Sequence, residues 1–147
     1  SASTVNAISK YGSGTAHTIT GASFAAVTFG TSGAQEITLT TAGTWMLYAR
    51  ARVDYVAATF AAVRTVSLKL RRTNNTAGDV TAAASAFKTE IITTLTYTAP
   101  TLLIPVVQYV TALTTDVLQM QVAIDTDPTA GSIQIVEADL VAVYLHA

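Results

Sequence analysis

Residues 43–54 have the sequence GTWMLYARARVD, in which apolar and polar side chains alternate without a break. The single tryptophan, Trp45, shares one parity with Leu47, and every residue of that parity is apolar: Trp45, Leu47, Ala49, Ala51 and Val53. The opposite parity holds Thr44, Met46, Tyr48, Arg50, Arg52 and Asp54. Because successive side chains of a strand point to opposite faces of its sheet, the pattern predicts a β-strand with Trp45 and Leu47 in the core.

The rest of the chain contains further short runs with the residue pattern of β-strands. Strands are predicted at 24–29, 35–40, 66–71, 90–97, 102–110, 117–124 and 132–145, with turn signals at 74–79 and 125–131. There is no internal repeat and no long helical pattern. The sequence therefore predicts an all-β chain folded as an antiparallel β-sandwich, and we expect a jelly-roll topology. Residues 80–87 have the strongest local helix propensity and stay open between helix and strand.

The last predicted strand contains two acids within an otherwise apolar parity. Residues of this parity are Ile133, Ile135, Glu137, Asp139, Val141, Val143 and Leu145. Either a β-bulge near residues 136–139 re-aims the chain, or the two acids point into a polar site. We expect Val141, Val143 and Leu145 to lie in the core or in a subunit interface.

Residues 1–23 differ from the rest, because they are rich in Ser, Thr, Gly and Ala with scattered apolar positions. Such a segment gains order only by lying against another surface. We therefore divide the chain into an extended N-terminal arm at 1–23, ordered against a partner subunit, and a sandwich domain at 24–147.

The composition predicts self-association. The 147 residues are 50% hydrophobic and only 12% charged, whereas roughly a quarter of the residues of an ordinary soluble domain are charged. No apolar run approaches the ~18 residues that span a bilayer, so we expect the excess apolar surface to lie in subunit interfaces and not in a membrane. A formal net charge of −1 argues against nucleic acid as a partner. The sequence has no cysteine and shows no secretory signal pattern at its start.

No catalytic, cofactor or metal motif emerges from the remaining chemistry. His17 and His146 lack a neighbouring nucleophile motif, and we expect structural or surface roles for both. The Asp125 and Asp127 turn lacks the ligand spacing of a calcium loop, so a solvated turn is expected. The protein is therefore predicted not to be an enzyme and to need no cofactor.

The basic residues on the predicted strands have acidic partners available. We expect a polar interface that combines Arg50, Arg52 and Arg71 with Glu137 and Asp139. Exposed pairs of this kind contribute little to stability, whereas pairs enclosed between subunits fix their orientation.

Three short landmarks carry a resemblance to a known family. They are AGTW at 42–45, TDVLQMQV at 115–122 and the closing run LVAVYL at 140–145. Over residues 24–147 the sequence resembles the jelly roll of the tumour necrosis factor superfamily and the complement-type globular heads. That resemblance implies a homotrimer about a threefold axis, with the first and last strands near the axis.

Similar trimeric sandwiches occur as decoration proteins on phage heads and at the tips of phage fibres. On this resemblance we expect a virion structural protein at the capsid surface, a homotrimeric decoration or cement protein whose partner is the major capsid protein of a phage. The alternative is the receptor-binding tip domain of a tail fibre, with a glycan of the host surface as its ligand.

Overall fold

The computed structural model describes residues 7–61, 64–80, 84–89, 95–98, 102–111 and 115–147. Within these residues the chain is all-β, and the one helical element is a short 3-10 turn at Gly30–Ser32. The strands are β1 Ala7–Gly12, β2 His17–Thr18, β3 Ala25–Ala26, β4 Thr28–Phe29, β5 Gly33–Ala34, β6 Glu36–Thr38, β7 Gly43–Thr59, β8 Arg64–Arg72, β9 Gly78–Asp79, β10 Ala84–Thr89, β11 Leu95–Thr98, β12 Leu102–Thr111, β13 Val117–Ile124 and β14 Ala130–His146.

Two antiparallel sheets contain nearly all of these strands. Sheet A has the order β1-β14-β7-β11, with β12 also paired to β7 and β2 to β14. Sheet B has the order β10-β8-β13-β3, with β6 also paired to β13 and β9 to β8, while β4 and β5 form a separate ribbon. The long strands β7, β8, β12, β13 and β14 alternate between the two sheets along the chain. The predicted all-β class with antiparallel sheets is therefore confirmed.

One core lies between the sheets, and β7 contributes its most regular part. Trp45 and Leu47 are fully buried, on the face that the alternation predicts. The Trp45 ring packs edge-on against Tyr144 with ring centroids 5.2 Å apart, and its indole N–H donates to the Thr41 carbonyl at 3.0 Å. Sheet B supplies the facing apolar side chains, including Leu68, Leu70, Leu118 and Met120. Burial of apolar surface between the two sheets is what holds this fold together.

The structure extends one predicted strand and decides one segment that the sequence left open. Strand β7 continues to Thr59, well beyond the residue at which the clear alternation ends. Residues 84–89, in the region of highest helix propensity, form strand β10 on the edge of sheet B. Pairing with β8 overrides a local preference that an isolated short helix could not have realised in water. Residues 81–83 of the segment 80–87 and residues 90–94 of the predicted strand 90–97 lie outside the described residues.

The N-terminal segment requires a correction. We expected residues 1–23 to form an arm that is ordered only against a partner subunit, but β1 pairs with β14 of the same chain along its whole length. Strand β2 also pairs with β14, and Ile19 is only 1% exposed in the core. The composition misled because an edge strand gains its order from backbone pairing and needs few apolar side chains of its own. Residues 1–6 lie outside the described residues.

Side chains also hold β1 in place. The Lys10 ammonium group donates to the carbonyls of Ser32 at 2.9 Å and Ala34 at 2.7 Å. The buried Gln35 amide donates to the Lys10 carbonyl at 2.7 Å. At Gly12 a Cβ atom would overlap both the Gln35 side chain and the buried Phe29 ring, so any other residue at the end of β1 requires both side chains to move.

Candidate interaction surface

A β-bulge in β14 decides which side chains reach the outer face of sheet A. Ile135 lies opposite Val53, but Glu137 lies opposite Arg52, so Val136 is the extra residue. After the bulge the buried positions of β14 are Ala138, Leu140 and Ala142. Of the two alternatives left open by the sequence, the bulge is the correct one, and the acids point outward.

The same bulge changes the expected position of the closing apolar residues. Val141 lies opposite Tyr48 and Val143 opposite Met46, all on the outer face. Val143 is 39% exposed, and Leu145, at the last register shift of the β14–β7 pairing, is 41% exposed. The expectation that these residues resume the core parity is therefore corrected for the single chain, while their place in a subunit interface stays a prediction.

Next to the bulge, the outer face carries a set of paired charges that we call the acid–arginine ladder: Arg50, Arg52, Glu137 and Asp139. Arg50 Nη2 lies 2.5 Å from Asp139 Oδ2, and Arg52 Nε lies 3.8 Å from Glu137 Oε1. On the edge strand, the Tyr11 hydroxyl donates to Glu137 Oε2 at 2.5 Å. The strand register places each arginine directly opposite its acid, which is the geometry in which cross-strand charge pairs are favourable.

Hydrogen bonds within and beside the ladder favour the charged forms of Glu137 and Arg50. The hydrogen bond from Tyr11 holds the pKa of the Glu137 carboxyl below its ordinary value, and the same bond raises the pKa of the Tyr11 hydroxyl. The hydrogen bond and charge of Asp139 raise the pKa of the Arg50 guanidinium. Two arginines face two carboxylates, so the ladder carries no net charge. Because these side chains are partly exposed, the pairs contribute little to the stability of an isolated chain.

Exposed apolar side chains concentrate on this same face. Among the described residues the large exposed ones are Tyr11, Tyr48, Val56, Val143 and Leu145. The register places the first four on the outer face of sheet A, and Leu145 lies at its end, next to Val143. Tyr48, Val143 and Leu145 lie together at one end of this face, next to polar groups, and a cluster of this kind is typical of an interaction site. We refer to Met46, Tyr48, Val141, Val143 and Leu145 as the apolar end.

Arg71 does not join the ladder. It lies on β8 in sheet B, where its guanidinium group is 2.8 Å from Asp79, and Lys69 reaches the same carboxylate at 3.0 Å. The hydrogen bond from Arg71 lowers the pKa of Asp79. The prediction that Arg71 meets Glu137 or Asp139 is wrong. Strands β7 and β8 have similar alternating sequences but belong to opposite sheets, so their polar faces point to opposite sides of the protein.

A buried polar cluster at one end of the sandwich was missed by the sequence analysis. The Asp116 side chain is only 1% exposed and accepts hydrogen bonds from the Tyr109 hydroxyl at 2.7 Å and from the Asn75 amide at 2.5 Å. Arg72 Nη1 lies 3.6 Å from the same carboxylate. Burial and the hydrogen bond to Asp116 raise the pKa of Tyr109 to about 12.

This cluster joins the two sheets, since Tyr109 belongs to β12 of sheet A and Arg72 to β8 of sheet B. Within sheet B, the Asn74 side chain connects the turn after β8 to the start of β13, because it donates to the Thr115 carbonyl and accepts from the Val117 N–H, each at 2.7 Å. The adjacent asparagines at 74–75 were the available signal, but sequence alone could not show that they face residue 116. We assign the cluster a structural role.

The histidines lie apart from these groups. His17 is partly buried and accepts a hydrogen bond from the Thr28 N–H at 3.2 Å, and desolvation lowers its pKa. His146 is exposed near the chain end, where its ring nitrogen lies 2.9 Å from the Ala147 carbonyl oxygen.

The acidic turn between β13 and β14 satisfies backbone groups. Asp125 Oδ1 accepts from the Thr65 N–H at 3.0 Å, and Asp127 Oδ1 accepts from the Gly21 N–H at 2.8 Å. Over the described part of the chain, no three His, Asp or Glu side chains come together in a way that could hold a metal ion. None of the described segments forms a helix of the length and apolarity that crossing a bilayer requires.

Comparisons with known proteins add little. No protein family matches the sequence, and no curated protein matches it. One similar solved structure is that of the infectious bursal disease virus Gx strain, with a TM-score of 0.49 and 5% sequence identity. The match covers 94% of this chain and 33% of the viral chain, so the chain spans about one third of that protein's length. A likeness this remote carries no argument about function, which has to rest on the chain's own geometry.

Proposed function

We propose that this protein is a homotrimeric structural protein of a virion, a decoration or cement protein that binds the major capsid protein of a phage head and stabilises the shell. The observation that carries this proposal is the collection of exposed large apolar side chains on the outer face of sheet A. A face of this kind becomes favourable only when another protein surface covers it.

The strand order supports the same conclusion. Strands β1, β14, β7 and β12 neighbour one another in sheet A, and β10, β8, β13 and β6 do so in sheet B. Alternation of the long strands between the sheets is the pattern of a jelly roll, an architecture that viral capsid domains use. We therefore include the jelly-roll topology in the proposal. A charged content of only 12% fits a chain that works in an assembly.

The proposed mechanism is geometric and involves no catalysis. Three sandwiches cover one another's outer faces, and the trimer then presents three copies of each remaining surface to the capsid lattice. Because the three contacts are linked, the second and third form at a high effective concentration, and the trimer binds far more tightly than one subunit could. A protein that binds only the assembled shell stabilises that shell by mass action.

Sedimentation tests the proposal directly. The purified protein is sedimented alone and then with empty heads of the same virus that lack decoration, and the heads are heated with and without it. We expect a trimer that co-sediments with the heads and raises the temperature at which they break. A parallel glycan-binding screen covers the fibre-tip alternative: a trimer that binds glycans and ignores heads would support that function instead. A stable monomer would contradict both.

A further inference from the structure

We infer that a second copy of this chain covers the apolar end of sheet A, and that the acid–arginine ladder lies beside this contact and orients it. This inference rests on the proposed homotrimer and deepens it by naming the surface through which the subunits meet.

The apolar end consists of neighbouring cross-strand rows that contain no charged side chain. Across the sheet, Val143 lies between Ala7 of β1 and Met46 of β7. In the next row Val141 lies between Ser9 and Tyr48. The small residues on β1 leave the row open at the sheet edge, so a partner can approach the valine side chains closely. Close approach over such a row gives the complementary packing that stable interfaces require.

The charge distribution favours a second copy over a charged partner. In the adjacent rows each acid is already paired with an arginine of the same chain, at 2.5 Å for Arg50 and Asp139. Around a threefold axis the same face of three subunits comes close together, so a net charge on that face would be repelled by the identical charge on its two neighbours. The ladder avoids this repulsion, because the charge of each arginine is balanced by the charge of its paired acid. A face built to attract nucleic acid or an acidic partner would instead carry unpaired cations.

The available area also fits a subunit contact. The four neighbouring strands β1, β14, β7 and β12 are about 19 Å wide, and ten residues of strand extend about 34 Å, which gives a face of about 650 Å². Specific interfaces bury about 800 Å² on each partner. The apolar end is only part of this face, so the ladder beside it, the edge strand and nearby turns have to supply the rest of one subunit contact.

The far end of the same face offers a matched control. Val56 is 42% exposed, against 39% for Val143, and both are valines on the outer face of sheet A. Val143 lies opposite Met46, so ten residues of β7 separate the two sites, a distance of about 33 Å. An aspartate at either position adds the same charge to an exposed strand residue, but only Val143 lies in the proposed contact.

The experiment measures the subunit dissociation constant by sedimentation velocity over a dilution series for the wild-type chain, Val143→Asp and Val56→Asp. Circular dichroism confirms that each variant is folded. We expect Val143→Asp to weaken association by at least about 30-fold, the loss typical of a central interface residue. Val56→Asp should leave it within about threefold. The milder change Leu145→Ser is the second variant of the apolar end and should weaken association in the same direction.

The outcomes separate this inference from the proposed function. If the wild-type chain is a trimer and Val143→Asp and Leu145→Ser remain trimers of unchanged affinity, the subunits meet elsewhere, and the inference is overturned while the trimer stands. Equal weakening by Val143→Asp and Val56→Asp would also overturn it, because the contact would not be confined to the apolar end. A monomeric wild-type chain removes the homotrimer itself.

Discussion

Replacing Trp45 by alanine should lower the free energy of unfolding by about 4 kcal/mol. A buried tryptophan removes up to about 250 Å² from water, which at about 25 cal/mol per Å² corresponds to roughly 6 kcal/mol as an upper value. Alanine retains part of that burial, and neighbouring side chains relax into the space, so measured losses for such truncations are about 3 to 5 kcal/mol. Trp45 should fall within that range, because its ring is fully buried and packs against Tyr144.

The hydrogen bond of Trp45 separates two contributions. Trp45→Phe keeps an aromatic ring in the core but removes the N–H that donates to the Thr41 carbonyl at 3.0 Å. The loss of that bond should cost about 1 to 2 kcal/mol, since the carbonyl is left without its donor. Val56→Ala, an exposed change on the same strand, should stay within about 0.5 kcal/mol of the wild type.

Urea unfolding followed by circular dichroism measures these differences, at one fixed protein concentration because association shifts the apparent stability. For a chain of this length, 4 kcal/mol corresponds to a fall in Tm of about 8 to 16 °C. A Trp45→Ala variant that loses less than about 1 kcal/mol would refute the reasoning, because no fully buried tryptophan could be removed so cheaply. A Trp45→Phe variant as unstable as Trp45→Ala would show that the hydrogen bond, and not burial, dominates.

Three further predictions concern polar and tightly packed positions. The pKa of Tyr109 is raised to about 12 beside Asp116. Its contribution to stability is therefore fully present below pH ~10 and is lost as the pH rises through the folded pKa. In Tyr109→Phe the free energy of unfolding should depend less on pH within that window. The hydrogen bond from Tyr11 lowers the pKa of Glu137. The contribution of Glu137 to stability is therefore present above the ordinary carboxyl pKa of ~4.3 and is lost as the pH falls through the lower folded value. Glu137→Gln should lose less stability on acidification, and the same loss as in the wild type would contradict the contact. Gly12→Ala should lower Tm, because the new methyl group overlaps the buried Gln35 amide and the buried Phe29 ring. An unchanged Tm would show that β1 does not occupy the position described.

Much of the fold could be predicted because strand alternation is a local signal. The parity of Trp45 and Leu47 follows from the two-residue repeat alone, and both are buried as that repeat requires. The predicted strand at 117–124 matches β13 residue for residue. Turn signals between the strands come from residue types whose backbone preferences are also local. Where the information lies within a few residues, the sequence was sufficient.

The remaining features depend on which strands become neighbours, and alternation does not contain that information. Arg71 and Arg50 occupy equivalent positions in two similar patterns, yet they lie on opposite sheets. Residues 7–12 have a weak pattern, but β14 offers them a complete row of backbone partners. The buried Asp116 cluster likewise joins residues that are far apart in the chain. These contacts are decided by tertiary pairing, which overrides weak local preferences.

The bulge at Val136 links the fold to the proposed function. Without the extra residue, Glu137 and Asp139 would continue the parity of Ile135 and point into the core, where unpaired carboxylates are very costly. With it, both acids meet arginines on β7. The bulge also exchanges the inward and outward positions of the residues that follow it, so Val143 lies on the outer face, where it is 39% exposed. A single inserted residue thus places a self-cancelling charge ladder and an uncovered apolar platform side by side, which is the combination that an identical partner needs. In the proposed trimer, the cost of exposing these apolar side chains is recovered when a second subunit covers them, so the bulge that interrupts the alternation of β14 would also favour the proposed assembly.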